Sequence, residues 1–299
     1  MVQLGNNHST MKYRFFYRFL LITLAASQLV AQGCTEIIDI EVDSTYVRCV
    51  IYGEITTDTL AHRVTVSRSG EYFANMPAQG ISGAEVTITD GELVFPLTED
   101  PLQPGTYYTD PGVYGVPGRT YTLNVRNVNL LGDGVMHSYQ ASSHMLPIAA
   151  ADSIAVEYRF LWQGWVVKAY ATDPAQTRDF YMFHVFINGE IHSDTLRTLT
   201  VTNDLLFNGN STNGIEIYYI RGLESLTPGD SVTAYFCGIT EDYYMFIVEA
   251  QTAARRSTPM FSGPPANPRT NLSNDAIGFF TAYSISKAST IVPIPQVSF

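Results

Sequence analysis

The chain has 299 residues, of which 45% are hydrophobic and 15% charged, enough apolar material to build cores and too few charges for a disordered polymer. Against 28 Asp and Glu stand only 17 Lys and Arg, a formal net charge of −11 that repels polyphosphate and anionic headgroups alike. Nucleic acid is thereby excluded as a partner, and association with a membrane requires an inserted anchor.

The N-terminus supplies such an anchor. Lys12, Arg14 and Arg18 lead into the apolar run 19–26. That run is shorter than the roughly 20 residues of a spanning helix and suits the h-region of a secretory signal. Met11 stands immediately before this pattern and offers an alternative start. The run ends at Val30-Ala31-Gln32-Gly33-Cys34, which resembles a lipobox, although Gln32 is unusual there. Residues 1–33 are therefore read as a signal peptide and Cys34 as the lipidated first residue of the mature chain. A non-lipidated signal cut near Ala31 is the alternative. Residues 34–45 form a polar tether, which accounts for Asp39, Glu41 and Asp43 better than a calcium site does.

Alternation then begins. In 46–55 the residues Val47, Cys49, Ile51 and Ile55 share one face, the period of a half-buried strand. Strands follow at 62–68, 84–89, 92–98, 119–126 and 137–142. Asp90-Gly91 marks a tight turn, and Pro96 an edge position, because proline cannot donate to a ladder. Pro104-Gly105 and Pro117-Gly118 punctuate the units between. About seven short strands at this spacing predict an Ig-like β-sandwich over 46–147. The apolar segment around Pro147 is the expected boundary. Residues 148–299 are read as a second β-rich domain, sandwich or barrel, with strands at 153–160, 164–171, 180–187, 195–202, 215–220, 231–236 and 276–286. Asn188-Gly189 and Pro228-Gly229-Asp230 supply turns. One stretch changes period. Thr240 is a plausible N-cap, Glu241 and Asp242 suit a first helical turn, and Tyr243, Phe246, Ile247, Ala250 and Ala254 share a helical face. A helix is predicted at 241–256, followed by a loop over 257–274.

These residues resemble a family of Bacteroidota envelope lipoproteins catalogued as domain of unknown function 4249. The resemblance spans about residues 34–286. It is carried by Val50-Ile51-Tyr52-Gly53-Glu54-Ile55-Thr56, Val64-Thr65-Val66-Ser67-Arg68-Ser69, Ser82-Gly83-Ala84-Glu85-Val86-Thr87-Ile88, Leu97-Thr98-Glu99, Pro104-Gly105-Thr106-Tyr107 and Gly118-Arg119-Thr120-Tyr121-Thr122-Leu123. The most specific piece is Asn267-Pro268 with Thr270-Asn271-Leu272-Ser273-Asn274-Asp275-Ala276-Ile277-Gly278-Phe279-Phe280. The resemblance implies an outer-membrane lipoprotein, on the periplasmic or the surface face, that accompanies a TonB-dependent receptor. It implies no activity. The first half is also similar to the carboxypeptidase-regulatory or transthyretin-like sandwich, which implies a structural or interaction module.

Local chemistry is sparse. No histidine pair stands at helical ligand spacing, and neither a Gly-x-Ser-x-Gly elbow nor a phosphate-binding glycine loop occurs, so no cofactor is called for. His184 and His192 flank Asn188-Gly189; they could face one side of a hairpin as a metal pair or be surface histidines. Cys49 and Cys237 are read as buried free thiols. Glu157 and Asp173 are lone carboxylates whose partners sequence cannot supply. Trp162, Trp165 and Tyr170, with Tyr158 and Tyr181, form either an aromatic platform or core; Asn271 and Asn274 contact either a ligand or loop backbone. Trp162, Trp165, Tyr170, Asn271 and Asn274 are thus the candidate ligand or partner surface. The expected function is a non-catalytic accessory lipoprotein that binds a ligand or partner. The alternative is an envelope hydrolase acting on glycan or peptide.

Overall fold

The computed structural model describes residues 47–70, 78–221, 226–254 and 267–294, together with Arg18. The signal region other than Arg18, Cys34 and the tether lie outside the described residues, as does the stretch 255–266 of the predicted helix end and loop.

From Tyr46 onward the chain is one compact, mainly β unit. The first half carries β1 Cys49–Thr56, β2 Arg63–Arg68, β3 Gln79–Gly80, β4 Glu85–Thr89, β5 Val94–Glu99, β6 Thr106–Tyr108, β7 Thr120–Asn129 and β8 Met136–His144. The second carries β9 Ala151–Arg159, β10 Gly164–Ala171, β11 Phe180–Ile187, β12 Glu190–Ile191, β13 Thr200–Asn203, β14 Ile215–Arg221, β15 Ser231–Ile239, α1 Glu241–Ala254 and β16 Ile277–Ile291. One large mixed sheet runs β12-β11-β15-β16-β1-β2-β6-β5-β4-β7-β8, with β13 beside β11 and β3 beside β2. A small sheet runs β14-β10-β9. No barrel closes.

The expected sandwich is present in the first half. It encloses a core of Ile51, Ile55, Val64, Val66, Ile88, Leu123 and Val125, with the buried Tyr107 and Tyr121. Strand β5 joins its two faces, pairing with β4 along Val94–Leu97 and with β6 only at Thr98 and Glu99. Pro96 therefore sits where β6 no longer runs alongside, and its missing N–H leaves no gap in the ladder. A second core lies between the small sheet and the β11, β15 and β16 part of the large one, around Val167, Phe183, Val185, Ile217 and Phe236. Near Pro147 the chain thus passes from one core to the other. The sheet does not break there, because β16 pairs parallel with β1 and antiparallel with β15.

The turn and helix signals have visible causes. Asn188 and Gly189 both take positive φ (51° and 88°), the conformation of a tight hairpin turn, and Ile187 faces Glu190 across it. Helix α1 is capped as expected, with Tyr243 N donating to Thr240 Oγ1 at 3.3 Å. One strand differs from expectation. Within 195–202 only Thr200 onward is extended, because the N–H groups of Thr198 and Leu199 turn back onto Thr195 O. Strands β3, β6 and β12 escaped the reading, being too short to show a period. No described helix is long and apolar enough to cross a membrane.

Strand alternation leaves one face of the large sheet to be accounted for. Strand β1 sends Cys49, Ile51 and Ile55 into the sandwich core and Tyr52, Glu54 and Thr56 to the opposite side. Strand β11 sends Tyr181, Phe183, Val185 and Ile187 into the second core and Met182, His184 and Phe186 to the same opposite side. There α1 packs Phe246 and Ile247 against Met182, Phe279 and Tyr283.

Candidate functional site

The opposite face is only partly covered, and a cleft of about 470 Å³ remains between β1, β2, β11, β15, β16, α1 and the segment after β12. That size lies within the range of small-molecule sites, about 300–1,000 Å³. Aromatic rings supply much of the wall. Tyr243 stacks on Phe246 at 5.9 Å, Phe246 lies 5.1 Å from Phe279, and Tyr52 lies 6.2 Å from Phe246. Tyr52 is half exposed at the opening, while Phe246 and Phe279 are buried.

Hydroxyl and carboxyl side chains supply most of the polar groups. Glu54 Oε2 accepts a 2.8 Å hydrogen bond from the buried Tyr283 hydroxyl. Among the described residues no cation lies within ion-pair distance of Glu54. Burial pushes the Tyr283 phenol well above its usual range, and the Glu54 charge adds to this. Burial raises Tyr243 likewise, so both phenols stay protonated. His62 is 1% exposed. Its Nε2 donates to Val113 O at 3.2 Å, which leaves Nδ1 as a buried acceptor without a partner. His184 Nδ1 is buried and unpartnered as well. Burial lowers the pKa of both imidazoles, against opposing pulls from Glu54 and other acidic or backbone groups. Asp58 is already neutralised: Lys287 Nζ sits 2.7 Å from its Oδ2 and 4.3 Å from the centre of the Tyr235 ring.

A second convergence lies at the far end of β10 and β11. Single carboxylate oxygens of Asp173, Asp179 and Asp204 come within 4.8 Å of one another. Asp173 and Asp204 are buried. Tyr181 OH and Gly209 N donate to Asp173, Asp179 N donates to Asp204, and Thr177 Oγ1 donates to Asp179. Burial raises the Asp179 carboxyl, and its two acidic neighbours push the same way. Oxygen donors of this kind suit hard cations.

None of the five residues expected to form a ligand surface lines the cleft. Trp165 is 5% exposed in the second core, edge-on to Tyr158. Trp162 is half exposed on the β9–β10 hairpin tip, beside the exposed Phe160 and Leu161 and 5.9 Å from Tyr219. Tyr170 lays its ring against Gly214. Asn271 spends its amide on backbone, Nδ2 donating to Ser142 O and Phe280 O and Oδ1 accepting from Phe280 N. Asn274 takes φ 56° and donates to Ser138 O. Glu157 lies in an ion-pair ladder with Lys168 and Arg159. The bond from His192 N to Val185 O places His192 opposite Val185, one residue out of phase with His184, so the two do not share a hairpin face. Cys49 and Cys237 are free and buried, and burial pushes the Cys49 thiol up to about 12, against a lowering contact from Tyr139.

Fold and cleft together define a mainly β protein, a sandwich fused through one strand to a second β core, with an aromatic-walled acidic cleft on the shared sheet. The model of the family described as Domain of unknown function (DUF4249) matches residues 35–289, and the chain belongs to that family. No curated protein matches it.

Proposed function

We propose that this chain is a binding protein of the bacterial envelope, an exported lipoprotein anchored through Cys34 that holds a small ligand in the β1–β11–α1 cleft and does not turn it over. The observation that carries the reading is the make-up of that cleft: aromatic walls surround hydrogen-bond acceptors and protonated phenols. The thiol behind it, Cys237, is fully buried and held far from its thiolate form by that burial, which disfavours it as a nucleophile. Export and anchorage are supported by the signal-like N-terminus and the lipobox-like residues before Cys34. The family resemblance supports a Bacteroidota source and a place beside a TonB-dependent outer-membrane receptor. A lipid tether raises the local concentration of such a partner, so a weak contact suffices.

The test is to express the full chain in an envelope-competent host and extract it with detergent. Mass spectrometry then identifies the small molecules and proteins that co-purify. A retained small molecule lost on Tyr52→Ala is expected, with membrane release on Cys34→Ala. Turnover of glycan, peptide or ester substrates abolished by Glu54→Gln would replace this reading with a hydrolase.

A further inference from the structure

The cleft presents a carboxylate with no counterion among the described residues. Glu54 is half-buried, and its one described hydrogen-bond donor is a neutral phenol, Tyr283. A desolvated carboxylate is costly unless a cation or several donors meet it. The neighbouring imidazoles do not serve, since burial keeps His62 and His184 toward the neutral form. Of the described residues lining the cleft, Glu54, Asp58 and Asp194 are acidic and only the exposed Arg63 is cationic. Asp58 has its own counterion in Lys287.

We propose that the occupant of this cleft is a small organic cation, an alkylammonium or alkylguanidinium, held by the Glu54 carboxylate against the rings of Tyr52, Tyr243 and Phe246. The proposal rests on the reading of the cleft as a binding site and adds the chemistry of its ligand.

Three features fit that chemistry together. Ring faces attract a cation through their quadrupoles, and the cleft carries several. An anionic ligand would meet Glu54 at close range, and a neutral one would leave its half-buried charge without a counterion. Finally, the protein already shows the pattern within itself: Lys287 sits between the Asp58 carboxylate and the Tyr235 ring, both part of the cleft lining.

The experiment uses the detergent-solubilised full chain and four matched probes: n-pentylamine, pentylguanidine, pentanol and pentanoate. Saturation-transfer NMR and calorimetry read binding to wild type, Glu54→Gln and Tyr52→Ala, with melting curves as a check on folding. Glu54→Gln keeps an acceptor for Tyr283, so it is expected to melt with wild type. The expected result is binding of both cations over pentanol and pentanoate, weakened roughly tenfold or more by Glu54→Gln and also by Tyr52→Ala. Preference for pentanol or pentanoate, or cation binding weakened by Tyr52→Ala but untouched by Glu54→Gln, overturns the charge assignment and leaves the cleft standing as a binding site. Binding of any probe that Tyr52→Ala and Glu54→Gln both leave unchanged overturns the cleft itself. Failure of both cations to bind at millimolar concentration overturns the proposal as well.

Discussion

Asn271→Asp is the sharpest available test of how the last strand is held. The side chain of Asn271 bridges β8 and β16: Nδ2 donates to Ser142 O at 3.1 Å and to Phe280 O at 2.8 Å, while Oδ1 accepts from Phe280 N at 3.0 Å. Aspartate keeps the shape and the accepting oxygen but turns a carboxylate oxygen toward two carbonyls. Two lost bonds at about 1 kcal/mol each, with about 1 kcal/mol for the facing acceptors, give a loss of about 3 kcal/mol. In a domain of this length that lowers Tm by about 6–12 °C. Asn271→Ala loses all three bonds but leaves room for water, so about 2 kcal/mol is expected. The sign with pH is distinctive. Protonating the new carboxyl restores a donor, so the Asp deficit shrinks as pH falls through its pKa, whereas the Ala deficit stays. Urea denaturation at pH 7 and in mild acid measures both. An Asp variant within about 0.5 kcal/mol of wild type, or one no worse than Ala at pH 7, would refute the reasoning. A residue serving only a ligand would weaken binding and leave stability untouched.

Gly278→Ala should be worse, costing more than about 3 kcal/mol, because Gly278 has φ +107° and an added Cβ would lie 2.0 Å from Ile51 O in the neighbouring strand; an unchanged Tm would contradict this. Glu99 predicts an acid limb. Burial raises its pKa, but bonds from the N–H groups of Gly105 and Gly83, with Ser82 and Tyr107, outweigh that and leave it lowered. Its contribution is therefore present above the unfolded value of about 4.3 and is lost as pH falls through the folded value. Glu99→Gln should destabilise at pH 7 and converge with wild type in strong acid; parallel pH curves would argue against it. Asp179 carries the opposite sign. Its raised pKa means that its contribution is fully present below the unfolded value and lost as pH rises through the folded one. Asp179→Asn should raise Tm by a few degrees at pH 7 in chelator and match wild type in acid, as read by calorimetry.

Much of the β architecture could be read from the residues because half-buried strands write a period of two. The motif pieces behind the family resemblance also acquire physical reasons. Glu99 ties Gly83 to Gly105, and Tyr107 OH donates to Ile81 O and accepts from Ala84 N, so three separate pieces hold one corner of the sandwich. Gly278 is glycine because a backbone carbonyl occupies the place of its Cβ. The site was another matter. Glu54 and Tyr283 stand 229 residues apart, and nothing local marks either one beyond a polar residue on a strand's outer face. Aromatic density pointed to Trp165, which is core, and asparagine density pointed to Asn271 and Asn274, which hold loops. Two of the three aspartates of the acidic cluster, Asp173 and Asp179, share the loop between β10 and β11, and Asp204 follows β13, so their spacing carries no signal.

The parallel pairing of β1 with β16 has a mechanical consequence. The two strands run the same way, in register from Val50–Ile277 to Thr56–Tyr283, so the entry to β1 and the exit from β16 lie at opposite ends of the pair. A force drawing those two points apart slides the strands lengthwise and loads every bond of the ladder at once. Were they antiparallel, the same force would open the bonds one by one, like a zip. A chain held at its N-terminal side and pulled by whatever grips the far end of β16 would thus resist as a shear joint, giving way late and abruptly.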